Sequence, residues 1–328
     1  MERILRCFNL GPTGSEDDDI SFTLTVETFS FEELSAATDN FSSTLRIGSG
    51  GQATVYEGHI PHIGQVAVKR LRTNDFPSKQ RAFLMEVYVL NSTNHPHIVK
   101  LLGCCSEGTE RLLVYEYVKG GTLRHRLKEL NWYTRMRIAR DTATVLEKLH
   151  LQSDPPIIHR DFKSDNILLS TNLSPKVSDF GIAKIAPAGD ELTAATSETL
   201  GTYGYASPGI FRPLNATVMT DIYSFGVVLL EIITGKPAID HSKEGDEHYL
   251  VHWAASKSKD GNFEEVLDPR LRGSVSRMVL SEALAVVDRC TGTEPVGRPR
   301  IREIIRALRH VVSISQDDTP GASSSAAS

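Results

Sequence analysis

The chain has 328 residues, of which 40% are hydrophobic and 23% are charged, and this composition is typical of a globular protein with a substantial core. A disordered chain and a mini-protein that needs disulfides to fold are both excluded. Its 36 basic and 41 acidic side chains give a net charge of -5, and residues 1–40 hold two of the basic and nine of the acidic ones. Since the remainder is close to neutral, it lacks the basic surface of a nucleic-acid-binding protein, and we expect no nucleic-acid partner.

The four cysteines, Cys7, Cys104, Cys105 and Cys290, show no Cys-x-x-Cys spacing, and neighbouring cysteines on one strand would point to opposite faces. We therefore expect reduced thiols and a cytoplasmic protein. The longest apolar run, 222–230, is too short to cross a bilayer, so we expect no transmembrane segment. The first residues fit neither a secretory signal nor a myristoylation site. Palmitoylation of Cys7, with peripheral attachment at the inner face of the plasma membrane, is an open alternative.

Strand signals dominate the part of the chain between residues 45 and 118, with runs rich in Val, Leu and Tyr between glycine turns. We predict strands at 53–60, 66–71, 101–105 and 111–117. One helix interrupts them at 78–91, where Phe83, Val87 and Leu90 recur at helical spacing. Before this part, residues 11–19 combine turn formers with an acidic block, which predicts a flexible leader.

Helical patterns dominate after residue 123. Asn131 is a candidate N-cap for a helix from Trp132, and Thr220 is one for a buried apolar helix that ends at Gly235. Further helices are predicted at 248–256, 279–290 and 301–311, and from Ser313 the lack of apolar periodicity predicts a disordered tail. A small sheet-rich half followed by a larger helical half predicts an α+β protein of two lobes with a cleft between them.

Three features of the first half are compatible with phosphate binding. Residues 47–55, Ile-Gly-Ser-Gly-Gly-Gln-Ala-Thr-Val, form a glycine-rich turn before a strand, for which a simple hairpin turn is the alternative. Lys69 shares a partly apolar strand face with Ala67, which favours an anionic partner, although an exposed edge lysine is the alternative. Glu86 lies at the margin of the buried helix stripe, where it is either solvated or paired with Lys69.

Two longer motifs follow: Ile-His-Arg-Asp-Phe-Lys-Ser-Asp-Asn-Ile-Leu at 158–168 and Val-Ser-Asp-Phe-Gly at 177–181. With them, the chain resembles the protein kinase superfamily over 41–312. Three further segments are similar to the plant receptor-like kinases related to Pelle: Phe-Glu-Glu-Leu-Ser-Ala-Ala-Thr-Asp-Asn-Phe at 31–41, Leu-Val-Tyr-Glu-Tyr-Val at 113–118 and Asp-Ile-Tyr-Ser-Phe-Gly at 221–226. The chain therefore resembles a receptor-like cytoplasmic kinase or the intracellular part of a receptor.

The resemblance implies a bilobal protein kinase fold. The small β-rich N-lobe would span 41–118 and the larger helical C-lobe 119–312. An acidic flexible leader and pre-kinase segment would occupy 1–40, and a disordered tail 313–328.

The resemblance also implies ATP and Mg²⁺ as cofactors, and serine and threonine hydroxyls of proteins as acceptors. Asp161 would accept or orient the hydroxyl proton, and Lys163 would contact the γ-phosphate. Lys69, positioned by its pairing with Glu86, would hold two phosphates of the nucleotide. Asn166 and Asp179 would bind the metal, because Mg²⁺ prefers hard oxygen ligands.

The implied ATP-binding positions are Ile47, Gly48, Ser49, Gly50, Gly51, Val55, Ala67, Lys69, Tyr115, Glu116, Val118 and Leu168. Of these, Val55, Ala67 and Leu168 would sandwich the adenine ring, and the backbone groups of Glu116 and Val118 would bind its edge. Tyr115 would be the gatekeeper. Packing in the core is the alternative role for each of these side chains.

For regulation, the resemblance implies that Arg160 receives a phosphate on the activation loop, at Thr196, Ser197 or Thr199. Thr202 matches a threonine that contacts the catalytic aspartate and lysine. A hydroxyl-rich loop that is only solvated is the alternative. The implied partners are protein substrates and an upstream receptor kinase or co-receptor.

Three positions depart from the family pattern. Ala53 replaces the third glycine of the phosphate loop, Gln52 replaces the aromatic residue at its tip, and Gly209 replaces a glutamate that would pair with Arg298. If the loop needs glycine torsions, Ala53 costs about 1 kcal/mol, and loss of one partner of a buried ion pair costs about 3–5 kcal/mol. We expect an active enzyme. The alternatives are a weakly active or inactive scaffold that binds ATP and partner proteins, and a small-molecule phosphotransferase.

Overall fold

The fold is taken from a computed structural model, which describes residues 4–7, 22–72, 76–186, 193–194, 201–207, 216–259 and 263–317. The first described elements are two short paired strands, β1 (Ile4–Cys7) and β2 (Phe22–Thr25), and the helix α1 (Phe31–Ala37). The predicted flexible leader at 11–19 lies outside the described residues, whereas residues 31–37, just before the predicted N-lobe, are helical.

The N-lobe is an antiparallel five-stranded sheet in the order β3-β4-β5-β7-β6. Its strands are β3 (Arg46–Ser49), β4 (Ala53–Ile60), β5 (Gly64–Leu71), β6 (Leu101–Cys105) and β7 (Leu112–Glu116). The predicted strands at 53–60 and 101–105 have these bounds, and the other two predicted strands differ by one or two residues at their ends. The helix α2 (Phe76–Ser92) is longer than the predicted 78–91.

The two faces of this sheet belong to different cores. One face packs with α2 into the large core that continues into the C-lobe, and it includes Cys104. The other face packs with Phe29 and Leu34 from the segment before the sheet, and it includes Cys105. The adjacent cysteines therefore point to opposite faces, as predicted, and Cys104, Cys105 and Cys290 are buried and form no disulfide with one another.

The C-lobe is mainly helical. Its helices are α3 (Leu123–Arg126), α4 (Trp132–Leu151), α5 (Val218–Thr234), α6 (Leu250–Lys259), α7 (Phe263–Val266), α8 (Arg277–Cys290) and α9 (Ile301–Asp317). Three short antiparallel pairs join β8 (Ile157–Ile158) to β11 (Lys184–Ile185), β9 (Ile167–Leu169) to β10 (Pro175–Val177), and β12 (Thr193–Ala194) to β13 (Ala216–Thr217). The α+β architecture with two lobes agrees with the prediction.

The predicted helix ends are right in two places and wrong in two. Asn131 caps α4 by accepting a hydrogen bond from the Thr134 backbone N–H at 2.9 Å, and Gly235 ends α5 with φ 67°. Thr220 is not an N-cap, because α5 begins at Val218 and its N-cap is Thr217. Helix α9 continues to Asp317, five residues past the predicted start of the disordered tail.

None of the helices in the described ranges combines the length and the apolar character that a membrane crossing requires.

Candidate active site

Lys69 joins the two lobes. It lies on β5 with only 8% of its surface exposed, and its Nζ donates to Glu86 Oε2 and to Asp179 Oδ1, both at 2.7 Å. Burial alone would lower the pKa of Lys69, but the negative charges of Asp179 and Glu86 outweigh this effect and raise the pKa above its ordinary value. In turn, Lys69 lowers the pKa of Asp179 to about 2. The Asp179 carboxylate and the Lys69 ammonium group are therefore charged near neutral pH.

Glu86 is a fully buried carboxylate at the centre of α2, not a solvated residue at the margin of the apolar stripe. It is 1% exposed, and Tyr115 on β7 donates its hydroxyl to Glu86 Oε1 at 2.7 Å. Burial and the charge of Glu86 raise the pKa of Tyr115 well above its usual range, so this hydroxyl stays protonated. Glu86 thus has two donors, one for each oxygen, which offsets the cost of its burial.

The strand register places the predicted adenine contacts on the Lys69 face of the sheet. Val55 is the direct partner of Lys69 across β4 and β5, and Ala67 pairs with Tyr115 across β5 and β7. Because direct partners in an antiparallel pair share a face, these four side chains lie on one side of the sheet. Leu168 comes from β9 in the C-lobe, where it bridges to Thr122.

The connection between the lobes runs through Glu116 and Val118. The Glu116 backbone N–H donates to Lys100 O at 3.0 Å, and the Glu116 carboxylate accepts from Lys176 Nζ at 2.7 Å. Lys176 lies on β10, so this contact ties the end of the sheet to the C-lobe. Val118 is partly buried against the large core.

The glycine-rich turn is held by a residue that the sequence did not indicate. Ile47 is exposed, Gly48 and Ser49 lie on β3, and Gly50 and Gly51 follow in the turn. Arg72, just after β5, donates from Nη2 to Ser49 Oγ at 3.1 Å and to Gly50 O at 2.9 Å. Arg72 therefore links the end of β5 to the side chain of Ser49 and to the backbone of the glycine-rich turn.

Ala53 carries no backbone strain. It begins β4, and its φ is not positive. The φ angles of Gly50 and Gly51 are not positive either, and a Cβ atom added at either position would meet nothing within 4 Å. The loop therefore does not use glycine-only torsions at these positions. The expected cost of about 1 kcal/mol at Ala53 does not apply.

Across the cleft, Asp161 is surrounded by donors. Thr202 donates to Asp161 Oδ1 at 2.5 Å, and Lys163 Nζ donates to Asp161 Oδ2 at 2.7 Å and to Thr202 Oγ1 at 2.8 Å. Asn166 Nδ2 donates to the backbone oxygen of Asp161 at 2.9 Å. Since the Asn166 amide nitrogen is used here, its side-chain oxygen is the atom left to bind a cation.

Asp221 positions the turn before Asp161, and the sequence reading missed this role. Its carboxylate accepts from the backbone N–H of His159 at 2.8 Å, from the backbone N–H of Arg160 at 2.9 Å and from His150 Nε2 at 2.8 Å. Arg160 has φ 66°, a left-handed backbone that a non-glycine residue rarely adopts. Asp221 is fully buried at the start of α5, so it fixes this unfavourable turn from within the C-lobe core.

A group of basic residues lies beside the start of the activation loop. Arg160 donates from Nε to Ile182 O at 2.5 Å. Burial and the positive charges of Arg160 and Arg81 lower the pKa of Lys184 on β11. Lys184 and Arg81 were not indicated by the sequence motifs. Of the predicted regulatory residues, Thr202 is described above, whereas Thr196, Ser197 and Thr199, like Gly209, lie outside the described residues.

A buried lysine–glutamate pair on a β-rich lobe reaches an aspartate of a helical lobe, where a second aspartate is surrounded by a lysine, an asparagine and a threonine. This arrangement is that of a protein-kinase type of phosphotransferase.

Comparison with known proteins supports this class. A family model of the protein kinase domain matches residues 41–308. The "Probable serine/threonine-protein kinase PBL5" of Arabidopsis thaliana is 43% identical over 309 residues, which cover 92% of this chain and 73% of that protein. The chain therefore belongs to the protein kinase family, and the resemblance noted in its motifs is confirmed.

Two further Arabidopsis thaliana relatives are longer. "Serine/threonine-protein kinase PBL27" is 43% identical over 303 residues, covering 90% of this chain and 59% of that protein. "Receptor-like kinase LIP2" is 40% identical over 316 residues, covering 93% of this chain and 56% of that protein. The chain thus spans less than two thirds of the length of these two relatives.

Proposed function

We propose that this chain transfers the γ-phosphoryl group of ATP to serine and threonine hydroxyls of proteins, including hydroxyls of its own activation loop. The observation that carries this proposal is the bridge from Lys69 to Glu86 and Asp179, at 2.7 Å each, opposite the group around Asp161. The names of the relatives, serine/threonine-protein kinases, support the choice of acceptor. The names of these relatives give no support to the alternative of an inactive scaffold.

On the nucleotide side, Lys69 binds the phosphates, and Glu86 keeps its ammonium group in place. Asp179 and the side-chain oxygen of Asn166 form a donor set of one carboxylate and one amide, which fits Mg²⁺ when phosphate oxygens supply further ligands. The ion, when bound, neutralises charge on the phosphate oxygens. Asp179 suits this role because its side chain is 43% exposed and its low pKa keeps it ionised.

On the acceptor side, Asp161 orients the substrate hydroxyl and accepts its proton. Lys163 and Thr202 hold the two oxygens of Asp161, so the carboxylate has a defined orientation before a substrate arrives. Lys163 is also close enough to Asp161 to neutralise charge on the transferred phosphoryl group.

The adenine ring would lie between Val55 and Ala67 of the N-lobe and Leu168 of the C-lobe. Because the Glu116 N–H is already bonded to Lys100, the base would use the Glu116 carbonyl and the Val118 backbone. The glycine-rich turn, including Ile47, would cover the nucleotide from above.

Phosphorylation of Thr196, Ser197 or Thr199 would regulate the enzyme. Burial, and then the positive charges of Arg160 and Arg81, lower the pKa of Lys184, so positive charges repel one another at Lys184. A phosphate placed among them would relieve this repulsion and order the loop. We further propose a cytoplasmic kinase that acts with an upstream receptor kinase, in keeping with the receptor-like name of one relative.

A phosphorylation assay tests the proposal. Purified wild-type protein and the Asp161→Asn variant are made in the same host and incubated with labelled ATP, MgCl₂ and a serine/threonine peptide library. We expect label in serine and threonine for the wild type and a loss of at least about 100-fold for the variant, because the proton acceptor is gone. Addition of EDTA should stop transfer, and excess Mg²⁺ should restore it. Equal incorporation in the two proteins would refute the proposal.

Mass spectrometry of the same two proteins locates the modified loop residues. We expect phosphate on Thr196, Ser197 or Thr199 only in the wild type. Phosphate at the same level in Asp161→Asn would show that another kinase of the host adds it.

A further inference from the structure

Arg298 is a buried guanidinium that donates only to neutral oxygens among the described residues. Its Nε donates to Gly292 O at 2.9 Å, and its Nη1 donates to Met219 O at 2.8 Å. Its Nη2 donates to Ser207 Oγ at 2.6 Å and to Thr293 O at 3.3 Å. The short hydrogen bond to Ser207 is therefore the strongest one made by Nη2, and it connects Arg298 to residues 201–207.

Arg298 is buried beside the Tyr223 ring, whose centroid lies 5.0 Å from its guanidinium carbon, and Glu294 acts on its charge without an ion pair. The residue is 4% exposed, and burial lowers the pKa of its guanidinium. Within the described ranges no carboxylate forms an ion pair with it, and the neighbouring stretch 208–215, Pro-Gly-Ile-Phe-Arg-Pro-Leu-Asn, contains no acidic residue. A buried charge is kept only where polar groups satisfy it, so each neutral acceptor of Arg298 carries weight.

Ser207 ends the segment 201–207, which we call the platform segment. Thr202, at its other end, is bonded to Asp161 and Lys163. In the middle, the Tyr205 backbone oxygen accepts from Ser224 Oγ of α5 at 2.8 Å. The Tyr205 hydroxyl also donates to Glu231 at 2.8 Å. The bond from Arg298 to Ser207 is a further attachment at the end of the segment, and it links Ser207 to the start of α5 and to the turn after α8.

We propose that Ser207 is a positioning residue: its hydrogen bond from Arg298 holds the platform segment in the form that receives the polypeptide acceptor. It does so in a chain that has Gly209 in place of a carboxylate. The inference rests on the proposed function, because it assumes that a polypeptide binds beside Asp161. Without the Ser207 hydroxyl, Nη2 would retain only the longer bond to Thr293, and the end of the platform segment at Ser207 would lose its hydrogen bond from Arg298.

The test compares Ser207→Ala with the matched control Ser315→Ala. Ser315 is also buried, and its hydroxyl also accepts from a side-chain N–H, that of Trp132 at 2.9 Å, but it lies on α9 away from the platform segment. Both variants lose one buried hydroxyl, so their melting temperatures should fall by similar amounts. We measure kcat, the KM for a peptide substrate and the KM for ATP in both.

For Ser207→Ala we expect the peptide KM to rise by about five- to tenfold, while the KM for ATP stays within about twofold of the wild type. This rise corresponds to about 1–1.4 kcal/mol. For Ser315→Ala we expect both KM values to be unchanged. Equal peptide KM values in the two variants, or an equal rise of both KM values in Ser207→Ala, would overturn the proposal.

Hydrogen exchange measures the platform segment without turnover. The Tyr205 amide donates to Thr202 O at 3.1 Å, so its exchange reports on the segment directly. We expect this amide to exchange at least about fivefold faster in Ser207→Ala than in Ser315→Ala, and equal rates would contradict the proposal. If the wild type transfers no phosphate, the proposed function fails, and the exchange rates alone decide whether Ser207 holds the segment.

Discussion

The segment before the kinase-family match closes one face of the N-lobe sheet, and its removal from that face should destabilise the protein. Leu34 of α1 is 0% exposed, and it packs on the sheet with Phe29 from the same segment. The buried sheet residues of this core are Ile60, Val66, Val68, Cys105, Leu112 and Val114. The backbone is attached as well, because the Phe29 N–H donates to Cys104 O at 2.9 Å.

Leu34→Ala should lower the free energy of unfolding by about 3 kcal/mol. Truncation of a fully buried leucine costs about 2–5 kcal/mol, through lost apolar burial and the cavity that remains. Total stabilities of domains are about 5–15 kcal/mol, so this is a large fraction. With an unfolding entropy of about 2.1 cal/mol/K per residue, the loss corresponds to a fall in melting temperature of roughly 4–5 °C for a chain of this size, which differential scanning fluorimetry measures.

Leu151→Ala is the matched control. Leu151 ends α4 and is 46% exposed, so its truncation should change stability by no more than about 0.5 kcal/mol. If Leu34→Ala melts within about 2 °C of the wild type, the segment is a detached leader and the packing argument is wrong.

Three further changes test the site and its surroundings. Tyr115→Phe removes one of the two donors to Glu86, so we expect the free energy of unfolding to fall by about 1–3 kcal/mol and the KM for ATP to rise several-fold. Unchanged values would contradict a role for this hydroxyl. Burial lowers the pKa of His95 to about 4, so the folded state favours the neutral ring. The contribution of His95 to the free energy of unfolding is therefore complete above pH 6.5 and is lost as the pH falls towards 4. In His95→Asn the fall in the free energy of unfolding between pH 6.5 and 4 should be smaller by about 1–2 kcal/mol, a value kept low because His95 is only half-buried. Identical acid unfolding curves for the two proteins would exclude His95 as a cause of this fall. Gly209→Glu should raise the melting temperature, because the new carboxylate would form an ion pair with Arg298. An unchanged melting temperature would show that residue 209 and Arg298 are not in contact.

The sheet was predictable because its sequence carries the necessary signals locally. Strand β4 lies between glycine-containing turns, and β6 is the short apolar run Leu-Leu-Gly-Cys-Cys between polar segments. Bounds that depend on neighbouring strands were less accurate: β5 begins at Gly64, two residues earlier than predicted, because Gly64 pairs with Ile60 of β4.

Helix α1 was missed although its start signal is present. Ser30 accepts from the Glu33 backbone N–H at 3.1 Å, and the Glu33 side chain accepts from the Ser30 N–H at 2.7 Å. This is a capping box, followed directly by the buried Leu34. The acidic composition of residues 1–40 favoured a flexible leader instead, because charge counts do not show that one apolar residue per turn reaches a core.

The N-cap of α5 was assigned to the wrong threonine because both Thr217 and Thr220 precede apolar residues. The choice depends on tertiary pairing. Thr217 pairs with Thr193 between β13 and β12, which holds it in an extended backbone with φ -122° and ψ 163°. Its side chain then accepts from the Met219 N–H, and the helix begins one residue after it.

The candidate site consists of residues in recognisable motifs and of other residues, distant in sequence, that hold the motif residues in place. Asp161 and Asp179 stand in recognisable motifs, but Arg160 and Asp179 both have φ 66°, and each left-handed residue costs about 1–2 kcal/mol. Such backbone persists only where the surroundings enforce it. Asp221 enforces it for Arg160 by binding two successive backbone N–H groups, and Lys69 anchors the side chain of Asp179. These supports lie 61 and 110 residues away along the chain, so a motif can indicate the reacting groups but not what holds them in place.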